Sequence, residues 1–208
     1  MKRSPARAAG AGGFTLLEVL LATALAALIL SALYGTFFLS QRAVASVDDS
    51  LVRLHEARLC LDLLKREIEA ALFGSDKSHT AFRMEDREIF GRQTSRLRLT
   101  CFSPSLPGPG EVLYELNERE GRIALCKEVT PFFSPERRSS FDLLEDVEAF
   151  SLEAKTGSGW VKTWDAARTG QIPAEVRISL GIRLRGGDGA GTTMQLTEVA
   201  RPRIGRPL

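Results

Sequence analysis

Gly13-Phe14-Thr15-Leu16-Leu17-Glu18-Val19 joins a short basic leader to a long apolar run, and the reading of that joint decides the architecture. From Phe14 to Leu39 the one charged residue is Glu18. An uncharged helix of about 20 residues crosses a hydrocarbon core, so 14–39 is predicted to be a membrane-inserted helix. In a secretory signal, small residues suited to cleavage follow the apolar run; here Gly10, Gly12 and Gly13 precede it, so cutting there leaves the helix on the product. A glutamate in the first turns of such a helix is costly in lipid and reads as functional, with a cationic partner required.

The composition narrows what lies outside this joint. The chain has 208 residues with 28 basic and 26 acidic side chains. Lys2, Arg3 and Arg7 sit in the leader; taking these three from the 28 leaves 25 against 26, a near-neutral remainder. Basic residues ahead of a first span hold the leader in the cytoplasm and place the following domain on the far side of the membrane. A near-neutral domain lacks the positive field of a nucleic-acid binder, so no nucleic-acid partner is expected.

Read in order, residues 1–13 are a leader, 14–39 the membrane helix, and 40–74 its amphipathic continuation, ended by Gly74 and Ser75. In that continuation Val44, Val47, Leu51, Leu54, Leu61, Leu64, Ile68 and Leu72 recur at helical spacing, which predicts one face packed on a domain. Two helices broken near Ser40 are the alternative, because Gly35 costs about 1 kcal/mol relative to alanine. Residues 75–200 read as a β-rich domain. Arg96–Cys101 alternates as a half-buried strand, Val112–Leu116 and Arg122–Leu125 form a hairpin, and Leu180–Leu184 with Thr193–Val199 form a final pair. The expected fold class is α+β, with a long N-terminal helix packed on an antiparallel sheet and a tail, 201–208, that frays.

Cys60, Cys101 and Cys126 are an odd number in a compartment that permits disulfides. Cys101 and Cys126, both in strand-like segments, are the candidate pair; three separate buried thiols are the alternative. Trp164 reads as core, while Trp160 could be core or an interface anchor. His55 and His79 lie near no nucleophile, and no phosphate loop, dinucleotide fingerprint, calcium loop or zinc spacing occurs. Neither a cofactor nor an enzymatic activity is expected.

The joint at Gly13–Val19 resembles the processing site of type IV prepilins and type II secretion pseudopilins. The resemblance implies a pilin-like fold and cleavage after Gly13 by a membrane prepilin peptidase. It also implies N-methylation of the new terminus, Phe14, and attraction of a neighbouring subunit's terminal amine by Glu18. Leu143–Leu152, then Gly159–Trp164, then Ile172–Leu180 resemble the minor pseudopilin J family of type II secretion. That resemblance implies I- and K-type pseudopilins as partners, a single pass through the bacterial inner membrane with a periplasmic C-terminal domain, and a place at the pseudopilus tip. The alternatives from other classes are a minor type IV pilin serving initiation, adhesion or DNA uptake, and a membrane-anchored enzyme.

Overall fold

The computed structural model describes residues 15–74, 80–89, 91–119, 121–185 and 191–203. The chain forms two compact units, Met1–Ala45 and Ser46–Leu208. Helix α1 (Leu16–Glu69) supplies all the regular structure described in the first unit and enters the second, with no break at Gly35 or Ser40. The second unit is strand-rich, so the chain is α+β.

Among the described residues ten strands follow: β1 (Phe82–Ile89), β2 (Arg92–Phe102), β3 (Pro109–Arg119), β4 (Arg122–Pro131), β5 (Ser139–Leu144), β6 (Val147–Thr156), β7 (Gly159–Val161), β8 (Trp164–Asp165), β9 (Val176–Arg185) and β10 (Gly191–Ala200). A short helix, α2 (Ala166–Thr169), lies between β8 and β9; Asp165 caps it, its side chain accepting from the Ala167 amide. The main path of the sheet runs β10-β9-β6-β2-β3-β4-β5, with β1 on β2, β7 on β6 and β8 on β1. The β3–β4 hairpin turns through Gly121 at φ 78, a left-handed conformation that a side chain would strain. Gly110 is required for another reason: a Cβ there would stand 2.7 Å from the Thr130 carbonyl oxygen, a backbone atom that cannot swing away.

Most of the pairing is antiparallel, as alternation predicts, but β2 meets β6 in parallel at Thr94↔Phe150. The reason is topological. β5 runs opposite to β2, so the strand that turns back from it through Asp146, at φ 53, arrives running with β2. β1 and β5 were not foreseen from sequence. In β1 only Phe82 and Met84 are buried, and the remaining Glu85-Asp86-Arg87-Glu88 reads as a solvated run.

One face of the sheet is covered by the second-unit part of α1. Ala57, Cys60, Leu61, Leu64 and Ile68 join Phe82, Leu97, Leu99, Val112, Phe150 and Ile178 in one core. The expected apolar face is thus found only in its C-terminal half: Val44 and Leu51 are more than half exposed, because burial under the sheet begins at Ala57. The helix also stops at Glu69, short of Gly74. Ala71 bridges Cys101, and the Leu72 amide donates to the Thr100 carbonyl, so these residues join the sheet instead of another helical turn. The tail expected to fray is described as far as Arg203. The Arg203 amide donates to the last helical carbonyl, Glu69, at 3.0 Å, and Pro202 is buried. This caps α1 from a distant part of the chain.

Among the described residues, charge is buried at one place in this core. Glu67 on α1 and Lys127 on β4 are each 1% exposed and 2.6 Å apart. Ser103 and Tyr114 donate their hydroxyls to the two Glu67 oxygens, while Lys127 also donates to Ser103 at 3.0 Å and Ser105 at 3.3 Å. Both charges are therefore hydrogen-bonded as well as paired, the condition under which buried ions are tolerated. Burial, with the Glu67 carboxylate beside it, pushes the Tyr114 phenol well above its ordinary 10.0.

Lys127→Met leaves an uncompensated buried carboxylate and is expected to cost about 3–5 kcal/mol, whereas Glu67→Leu with Lys127→Met restores much of the loss. Urea unfolding in detergent, followed by tryptophan fluorescence, checks this; equal stability of the two variants rejects it. Because the folded value of Tyr114 is raised, its contribution is complete below pH 10.0, its ordinary value, and is lost as pH rises toward the folded value. Tyr114→Phe is expected to flatten that alkaline limb of the stability curve.

Candidate functional site

The apolar helix begins as its sequence dictates. Thr15 stands just ahead of α1 and its hydroxyl accepts from the Glu18 amide at 3.3 Å, while its carbonyl takes the Glu18 and Val19 amides at 3.0 and 3.3 Å. Thr15-Leu16-Leu17-Glu18 thus has the spacing of a capping box, a signal overlooked in the sequence reading. Glu18 lies in the first turn, where a carboxylate faces the positive end of the helix dipole. Its side chain is exposed, open to a cation from outside the chain. Gly13 and Phe14, the two residues of the expected cleavage site, lie outside the described residues.

Within Leu16–Arg42 an 18-residue window reaches a mean hydropathy of 2.4, and none of the residues in that window is buried within the protein, so this helix is long and apolar enough to cross a membrane. Two of its hydroxyls are returned to the helix itself. Thr23 donates to the Val19 and Leu20 carbonyls at 3.0 Å, and Thr36 to the Leu33 carbonyl at 2.9 Å. Such internal satisfaction suits a medium without water.

On the sheet, Trp164 packs against the core and donates its indole N–H to the Gln171 carbonyl at 3.0 Å. It separates two open clefts of about 580 and 500 Å³, one floored by Ile172, Pro173 and Pro202, the other by Met84. At the rim of the first, Lys155 hydrogen-bonds Glu175 and holds its carboxyl below the usual range. Trp160 is half-buried beneath the Arg177 guanidinium, 3.9 Å from the ring centroid, with the Lys155 ammonium 5.9 Å away. Its ring is held by cations of its own chain. Among the described residues no three His, Cys, Asp or Glu side chains gather as a metal site. His55 is an exposed helix residue and His79 lies outside the described residues.

The structure does not bring Cys101 and Cys126 together. Cys101 pairs with Gly110 of β3 and Cys126 with Glu115 of the same strand. They therefore flank β3 from opposite sides, offset by an odd number of residues and directed to opposite faces. With about 4.8 Å between strands and 3.3 Å per residue along them, their Cα atoms exceed the roughly 7 Å limit for a bridge. All three cysteines are thiols. Burial raises Cys60 and Cys101 to about 12, while Cys126 donates to Asp142 at 2.9 Å.

A maleimide at neutral pH is accordingly expected to leave Cys60 and Cys101 unmodified in the native protein and to modify both in denaturant. Mass spectrometry of the labelled peptides reads this, and a Cys101–Cys126 crosslinked peptide in unreduced protein contradicts the strand register. No protein-family model matches the chain, and no curated protein is significantly similar to it.

Proposed function

We propose that the chain is a minor pseudopilin of a type II secretion system, of the J type, with a structural role at the pseudopilus tip that supports protein export across the outer membrane. The observation that carries this reading is the lone exposed carboxylate, Glu18, in the first turn of α1, just after Gly13-Phe14-Thr15 and ahead of the uncharged run Val19–Gln41. On this reading a prepilin peptidase cuts after Gly13 and the Phe14 amine is methylated. The helix then holds the subunit in the inner membrane, with the leader cytoplasmic and the domain periplasmic.

The chemistry follows from the cost of charge in lipid. A carboxylate in the bilayer is expensive until a cation reaches it, and the terminal ammonium of a neighbouring mature subunit is such a cation. Entry into a fibre therefore satisfies a group that the membrane leaves unpaired. The α+β architecture, with an N-terminal helix carrying an antiparallel sheet, supports a pilin-like fold. The strand–Trp turn–strand order of β6, β7 and β9 supports the J-type reading. I- and K-type pseudopilins are the companions on this reading, and the role is assembly, not catalysis.

Terminal sequencing of the mature protein is expected to begin at N-methylated Phe14, and a start elsewhere rejects the processing claim. Gly13→Val is expected to block cleavage, whereas Glu18→Ala is cleaved normally but fails to co-purify with companion pseudopilins from detergent extracts. Capture of type IV pilus subunits in place of secretion pseudopilins replaces the proposed role with that of a minor pilin.

A further inference from the structure

The end of the apolar helix carries a group of side chains that its role as a span does not require. Tyr34 and Phe38, one helical turn apart, stack with centroids 6.3 Å apart and an interplanar angle of 20°. The Arg42 guanidinium, one turn further on, lies 4.8 Å over the Phe38 ring. Phe37 and Phe38 are both about half exposed or more, and Tyr34 is 70% exposed, so the aromatic surface is open to the surroundings.

The positions of the charges give this group a consequence. The uncharged run Val19–Gln41 rises about 34 Å, longer than a hydrocarbon core of about 30 Å. Because Arg42 folds back onto Phe38, its charge sits near the level of that ring. The stretch from Val19 to Phe38 rises about 30 Å, which matches the core. Beyond Arg42 the next charge is Asp48, so without Arg42 the uncharged run would reach Val47 and about 44 Å. A helix of that length can slide, and its exit point is then undetermined.

We propose that Tyr34, Phe38 and Arg42 form an interfacial anchor in which Arg42 binds phospholipid headgroup phosphates. Phe38 is the platform for the guanidinium, and Tyr34 lies at the edge of the hydrocarbon. The anchor sets the depth at which α1 leaves the bilayer. Guanidinium forks suit phosphate oxygens, the aliphatic stem of arginine covers apolar surface, and aromatic rings favour the headgroup level. Stacking on Phe38 orders the side chain in advance of lipid binding and adds a cation–π contribution. The proposal rests on the reading of Leu16–Arg42 as a membrane span.

The test is cysteine accessibility in the full chain, reconstituted into nanodiscs of phosphatidylethanolamine and phosphatidylglycerol, which expose both leaflets. Single cysteines at Leu28, Gly35, Ser40 and Val44 are treated with a membrane-impermeant maleimide and read peptide by peptide. In the native background Ser40→Cys and Val44→Cys are labelled while Leu28→Cys and Gly35→Cys are protected. Adding Arg42→Leu is expected to lower labelling at Ser40→Cys and Val44→Cys by about fivefold, and Arg42→Lys to preserve it. Phe38→Ala is expected to lower labelling at Ser40→Cys by less. Unchanged labelling with Arg42→Leu overturns the anchor, and unchanged labelling with Phe38→Ala overturns the platform. Labelling of Leu28→Cys is a different result: it overturns the span itself.

Discussion

Beneath the last turns of α1 the Glu67 carboxylate meets the Lys127 ammonium at 2.6 Å in a space that excludes water, and the register of the second unit depends on that meeting. An apolar helix face can shift along a sheet at little cost. A buried ion pair cannot, because a displacement strands two charges in low dielectric. Tyr114 from β3, Lys127 from β4 and Ser103 from the β2–β3 connection all converge on Glu67. One helical residue thereby fixes where two consecutive strands and the connection ahead of them lie under α1.

The surrounding interactions act on the same junction. Ala71 and Leu72 join the sheet at Cys101 and Thr100 directly after the helix ends. Arg203 caps the final carbonyl from the other end of the chain, and its guanidinium lies 3.7 Å from the Glu69 carboxylate. Further up the helix, Lys65 pairs with Glu198 of β10 and Arg53 with Asp146 before β6, both at 2.9 Å. These outer pairs are partly exposed and individually worth little. They confirm the placement that the buried pair and the apolar core impose.

The opposite face of the sheet is a lattice of arginine and carboxylate pairs, among them Arg96–Glu115, Arg177–Glu153 and Arg183–Glu148. Their charges alternate in sign across neighbouring strands, so the face carries no extended positive field. The near-neutral composition of the chain outside its leader has this arrangement as its spatial form. The first unit follows a different rule. Among its described residues Thr23 and Thr36 bond their own helix, and the charges of Leu16–Arg42, Glu18 and Arg42, stand toward the two ends of that segment.

The sequence by itself determined the elements whose signal is local. The uncharged run, the lone Glu18, the helical period through Leu61, Leu64 and Ile68, and the hairpin about Gly121 each follow from neighbouring residues. A period or a charge gap needs no tertiary context. β1 was hidden because half of it is solvated, and β5 because it is an edge strand with most of its surface exposed. Only the tertiary structure decided which apolar helix residues are buried, since Leu51 and Leu61 carry the same pattern but only Leu61 lies over the sheet. It also separated Cys101 from Cys126, which depends on strand order, and it brought Glu67 to Lys127. Two charges 60 residues apart carry no mark of each other in the sequence; their partnership exists because folding closes the helix onto the sheet, where each, with the hydroxyls of Ser103, Ser105 and Tyr114, replaces the water the other has lost.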